Sequence, residues 1–194
     1  MVTLAFGLIV FFALHLIPMR PAWRAGLVTR LGRGAYLGLF SLVSVIGLIL
    51  IVKGYGQMQS LGRTNPQLWS PPRWSRHITM LLMIPAFILL VAAYVPSRIR
   101  TAVKHPMLAA IKLWALAHLI SNGDLASVML FGTFLIWAIE DRISVKRRDA
   151  LGPLGAKTGA AVNDIAVVAG GLLLYSLMLF WGHARLIGVP LLAP

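Results

Sequence analysis

Six apolar runs, each close to membrane-crossing length and separated by short basic connections, limit what this chain can fold into. They occupy residues 2–18, 35–52, 78–95, about 107–120, 125–139 and 165–181. A hydrocarbon core about 30 Å thick is crossed by roughly 20 helical residues. Inside it every backbone N–H and C=O must bond within the segment or to a closed neighbour, so such runs form helices. The expected fold class is all-α: a polytopic membrane protein with about six transmembrane helices, built as a single domain over residues 1–194. The fourth and fifth runs are joined only by Ser121-Asn122-Gly123-Asp124, which predicts that helices 4 and 5 form a tight antiparallel hairpin. Pro85 predicts a kink in the third run. Gly170 and Gly171 in the sixth are small enough to let a neighbouring helix approach closely. The first run lacks the basic stretch that opens a secretory signal, so it reads as a retained helix.

Composition agrees. Hydrophobic residues make up 59% of the 194 and charged residues only 12%, against about 25% charged in a soluble domain. The longest polar connections, about 24 residues, are too short to fold alone, so any chemistry lies between helices.

The formal charge of +13 comes from 18 Lys and Arg against 5 Asp and Glu. In a soluble protein that would suggest nucleic acid, but no water-exposed basic domain is left here to bind it. Counted by connection, the first, third and fifth hold four, three and five basic residues, twelve in all; the opposite side holds five, Lys53, Arg63, Arg73, Arg76 and Arg185. The bias places the odd connections in the cytoplasm and both termini in the periplasm of a bacterial inner membrane. The partners are then the lipid bilayer and its anionic lipids. The stretch QLWSPPRWSR, with Trp69 and Trp74, has a composition suited to the headgroup interface.

The eighteenth basic residue, Lys112, lies inside the fourth run, where an ionisable side chain is costly and tends to face a bundle interior or wet cavity. That run carries His105, Lys112, Trp114, His118, Asn122 and Asp124 within 20 residues. At 100° per residue Trp114, His118 and Asn122 share one helical face, beside Lys112. Lys112 calls for a partner such as Asp124, Asp164 or a ligand carboxylate, and Lys112, Trp114, Asn122 and Asp124 are candidates for lining a substrate pocket. His15 sits near the end of the first run, while His77 and His183 read as interfacial polar tips. There is no cysteine, so thiolate metal sites and cysteine nucleophiles are excluded and imidazole remains the main metal donor. No P-loop, G-x-G-x-x-G, HExxH or G-x-S-x-G pattern is present. Five carboxylates are too few for a carboxylate-bridged di-iron centre.

The histidine in FFALHLIP, the stretch GRGAYLGLFSLVSVIGLILIVKGYG and above all HPMLAAIKLWALAHLISNGDLASVMLFGTFLIWAIEDR resemble the NnrU family. That family is named for a bacterial membrane protein associated with denitrification, and its domain is shared by 15-cis-zeta-carotene isomerase. The resemblance implies a six-helix inner-membrane protein supporting nitrite and nitric oxide respiration or its maturation. For the isomerase branch it implies haem b held by histidine and a hydrophobic polyene substrate, with cis–trans isomerisation of 15-cis-zeta-carotene as the alternative activity. The matching positions are His15 and His118 as haem-iron ligands, with His105 the other family histidine. Depth in the expected topology would instead pair His15 with His105, and His118 with His77 or His183. A small-solute transporter is a weaker alternative, since no inverted repeat is visible.

Overall fold

The computed structural model describes residues 1–60, 62, 65–150, 152, 154–155 and 157–192, so Arg63 of the basic tally lies outside the described residues. Every apolar run is helical. The elements are α1 (Val2–Leu16), α2 (Pro21–Leu31), α3 (Arg33–Ser60), α4 (Ser75–Ala92), α5 (Arg98–Val103), α6 (Pro106–Ser121), α7 (Leu125–Arg147), α8 (Ala161–Leu177) and α9 (His183–Leu186), with a π-helical turn at Met178–Gly182 before α9. Among the described residues there is no strand, only an isolated antiparallel bridge between Gln67 and Asp124.

Among the described residues, three helical stretches are long and apolar enough to cross a membrane: Arg33–Ser60, Ser75–Ala92 and Ala161–Leu186. A fourth crossing is available if α1 and α2, bent by 89°, are taken as one span, and Pro106–Ser121 is a shorter apolar helix. Pro21 accounts for the bend, since Arg20 before it is extended at φ −115° and ψ 90°. The residue before a proline avoids the helical region, and Pro21 then takes the first position of α2, where its missing N–H is not needed. Pro85 lies inside α4, which continues through it.

The chain divides into two compact units, each discontinuous: residues 1–71 with 122–144, and residues 72–121 with 145–194. The Ser121-Asn122 bond is thus one point where the chain passes from the second unit to the first.

In the first unit α1 packs on α3 backbone to backbone. A Cβ on Gly7 would stand 2.7 Å from the Ile51 nitrogen, one on Gly47 would stand 3.1 Å from Phe11 Cα, and one on Gly54 would overlap the Leu4 backbone. Lipid is as apolar as leucine, so close packing of this kind supplies the attraction between membrane helices. Around the contact Leu4, Leu8, Phe12, Ile51, Met58 and Ala126 are buried, with Met129, Phe134 and Trp137 of α7 packed against them.

In the second unit α4 packs on α6 and α8. The Thr79 hydroxyl donates across to the Ala117 carbonyl at 2.7 Å. Of the two glycines expected to admit a neighbour, Gly171 does so tightly, its Cβ position lying 2.6 Å from Ile88 Cα, whereas Gly170 has ordinary room at 3.4 Å from Val91.

Candidate functional site

His15 occupies the last turn of α1. Its ring stacks on Phe11 at a centroid separation of 4.0 Å and meets the rings of Phe40 at 5.1 Å and Trp137 at 5.7 Å edge to face. Its Nδ1 is 2.7 Å from the Phe11 carbonyl oxygen. A carbonyl only accepts, so Nδ1 carries the proton and Nε2 holds the basic lone pair. His118, in α6 of the second unit, repeats the device: Nδ1 donates to the Trp114 carbonyl at 2.8 Å, leaving Nε2 as the basic nitrogen. Its ring lies 5.6 Å from that of Trp114. A bond from the far nitrogen to a backbone carbonyl is the usual arrangement behind a metal-binding imidazole, because it fixes the tautomer and the ring plane. The donor chemistry at both positions therefore suits an iron porphyrin. Among the described residues no group of three or more His, Asp or Glu converges as an ion site.

Among the described residues, Trp137 Nε1, whose ring meets that of His15, and the Tyr36 hydroxyl are buried without a hydrogen-bond partner. His105 immediately precedes α6, where its carbonyl accepts from Ala109 N. His183 follows the π-helical turn, and its Nδ1 donates to the Val189 carbonyl at 2.7 Å.

The shared face of the fourth run is only partly kept. Trp114 and His118 stay together, but α6 ends at Ser121, so Asn122 leaves the helix and joins the first unit. Lys112 is half-buried and forms no ion pair with Asp164, whose Oδ1 instead accepts the backbone N–H of Arg98 at 2.7 Å and of Ile99 at 3.3 Å. Beside Trp114, between α4 and α6, runs an apolar groove of about 270 Å3, lined among others by Met83, Phe87, Leu90, Ala110 and Ile111.

Asp124, a pocket candidate on sequence, is the N-cap of α7 and the centre of a polar cluster. Oδ1 accepts from Gln59 Nε2 at 3.0 Å, Asn65 Nδ2 at 2.9 Å and Ser127 N at 3.0 Å, and Oδ2 accepts the Ser127 hydroxyl at 2.7 Å. The Tyr55 hydroxyl donates in turn to Ser127 Oγ at 3.0 Å. All four N–H groups that open a helix find acceptors here: Leu125 N on Pro66 O, Ala126 N on Asn65 Oδ1, Ser127 N on Asp124 Oδ1 and Val128 N on Asp124 O. The segment QLWSPP, expected at the headgroup interface, is tied here too, Leu68 N donating to Gly123 O at 2.8 Å. A Cβ on Gly123 would overlap the Trp69 carbonyl. Gln59, Asn65, Tyr55 and Ser127 had not been singled out on sequence. The cue was Asp three residues before a Ser at the head of an apolar run, a capping pattern.

Burial by itself would raise the Asp124 carboxyl, but the bonds from Ser127 and Asn65 outweigh it and hold the group below the ordinary carboxylate value. A depressed folded value means the stabilisation is complete above the unfolded value of about 3.9 and is lost as pH falls through the folded one. The thermal midpoint in detergent is expected to be level from neutral pH to about 4 and to fall below that. Asp124→Asn is expected to flatten this acid limb and to cost about 2 kcal/mol at neutral pH. An unchanged acid limb in the variant would contradict the assignment.

No curated protein and no solved structure matches the chain. The family comparison does: the match to the family described as NnrU protein runs over residues 3–191, taking in both histidine-bearing helices, the groove and the Asp124 cap. On that coverage, this chain of membrane-length apolar helices belongs to the NnrU family.

Proposed function

We propose that this protein is a haem-binding member of the inner membrane that supports nitrite and nitric oxide respiration or its maturation, with the six apolar helices as its spans and both termini periplasmic. The observation that carries the cofactor is the repeated setting of His15 and His118, each donating Nδ1–H to the carbonyl four residues earlier and each beside an aromatic ring. Haem b bound through imidazole supplies an iron centre that accepts or gives one electron. The residues' part is to present Nε2 in a fixed tautomer, to keep water from the ring faces with Phe11, Phe40 and Trp114, and to hold the ring planes steady. His105 is the reserve imidazole.

A second reading, cis–trans isomerisation of a polyene such as 15-cis-zeta-carotene, is favoured by one feature. The groove beside Trp114, one turn from His118, is walled by apolar side chains, as a hydrocarbon ligand requires.

One variant set tests both readings. Purified with adequate haem supply, the wild type is expected to show a Soret band that His15→Ala and His118→Ala each abolish or shift. A wild type without haem overturns the cofactor. Co-expressed with a pathway that accumulates 15-cis polyene, the wild type converts it to the trans isomer under the second reading. An unchanged isomer profile with the protein present rejects that reading and leaves the respiratory one, which requires slowed nitrite-dependent growth on deletion.

A further inference from the structure

Packing alone does not account for α2. None of its residues is buried, and Trp23 and Leu31 are 62% and 45% exposed. The helix turns 89° from α1, so with α1 along the bilayer normal α2 lies in the membrane plane. At 100° per residue Trp23, Leu27 and Leu31 form one stripe, Ala22, Ala25 and Thr29 the opposite face, and Arg24 and Arg30 flank the stripe on either side. With Arg20 and Arg33 at its ends, the segment carries four arginines and no carboxylate. Two of them are held against rings: Arg20 at 5.6 Å from the Trp23 centroid and Arg24 at 5.9 Å from that of Tyr36 in the first turn of α3. Gly32, at φ +78°, closes α2 and lets α3 begin at the next residue.

An apolar stripe bordered by guanidinium groups is poorly placed in water and well placed at headgroup level, where tryptophan and leucine enter the acyl boundary and arginine reaches phosphate. We propose that α2 is an in-plane anchor seated on the anionic phospholipid headgroups of the membrane that α3 crosses. Trp23, Leu27 and Leu31 dip into the acyl boundary, and Arg20, Arg24, Arg30 and Arg33 pair with headgroup phosphates. The unbalanced charge selects an anionic lipid surface over a neutral one. The proposal rests on the membrane placement of α1 and α3 and is independent of haem.

Because the chain contains no cysteine, single substitutions give single labelling sites in the full protein. Nitroxides at Trp23→Cys, Leu27→Cys and Leu31→Cys are to be compared with Ala22→Cys, Ala25→Cys and Thr29→Cys in vesicles of phosphatidylcholine, with and without one third phosphatidylglycerol. The first three are expected to collide mainly with dissolved oxygen and the last three with a water-soluble nickel reagent, with greater contrast when phosphatidylglycerol is present. R24Q/R30Q is expected to remove that increase, and phosphatidylglycerol retained through purification should fall about fivefold for each arginine lost. If Trp23→Cys does not fold, Leu27 and Leu31 against the three small residues preserve the contrast. Six uniformly aqueous sites, six uniformly lipid-buried sites, or a pattern indifferent to phosphatidylglycerol would each overturn the proposal.

Discussion

Replacing Gly54 with valine is expected to destabilise the first unit by about 3 kcal/mol, while Gly56→Val on the same helix should change stability by less than about 0.5 kcal/mol. The difference lies in what a side chain would meet. At Gly54 the added Cβ overlaps the Leu4 nitrogen and stands 2.6 Å from Leu4 Cα and 2.8 Å from the Thr3 carbonyl carbon, whereas at Gly56 nothing lies within 4 Å. The obstacle is backbone, so no rotamer change relieves it, and α1 as a whole must withdraw from α3. Withdrawal separates Leu4, Leu8 and Phe12 from Ile51 and Met58, the centre of the buried cluster. Helicity followed through titration with denaturing detergent reads the effect. Equal losses for the two variants would mean that α1 and α3 are not held by this close approach.

The second large effect is expected at Arg100. Its side chain is 5% exposed, and it donates from Nη1 to the Lys157 carbonyl and from Nη2 to the Gly155 carbonyl, both at 2.7 Å. Its backbone N–H is capped by Ser97 Oγ at 3.1 Å. Nearby, Asn163 Nδ2 donates to the Pro96 carbonyl at 2.6 Å, and Gly159 packs against the same carbonyl. The guanidinium thus ties the approach to α8 onto the short helix α5. Arg100→Met keeps the stem and removes both charge-assisted bonds, for an expected loss of about 3 kcal/mol and protease cleavage within 154–160. Arg100→Lys retains the charge but cannot present two donors in one plane, so it should recover about half. A methionine variant as stable and as protease-resistant as the wild type would contradict the clamp.

How far the fold could be read in advance follows from the range of each signal. Apolar runs are local, and each of the six became a helix: α1, α3, α4, α6, α7 and α8. The helical segment α2 was not legible, because PAWRAGLVTRL has no continuous apolar run and its apolar stripe is only three residues, and its folding depends on Pro21 at one end and Gly32 at the other. The imidazoles of His15 and His118 stood out by sequence alone, since a polar ring inside an apolar run is conspicuous. Their orientation by the carbonyl four residues back did not, although the helix supplies it. Least legible were partnerships over long separations. Asp124 read as a pocket candidate or a partner for Lys112, yet its partners Gln59 and Asn65 come from 65 and 59 positions away. Buried Arg100 was one basic residue among the twelve of the topology tally. Lys112 was expected to have a carboxylate partner, but Asp164 is committed to the N–H groups that open α5.

The first unit is made from residues 1–71 and 122–144, with residues 72–121 of the second unit between them. This order has a consequence for biosynthesis. The rings of Phe12 and His15 meet Phe134 and Trp137, more than 120 residues further along the chain. At 5–20 residues per second a ribosome takes about ten seconds to supply them. During that interval α1 and α3 are already made, while the surface reserved for α7 faces lipid or the insertion machinery. An arrest of translation before residue 144 therefore leaves α1 and α3 without some of the α7 side chains that pack on their contact.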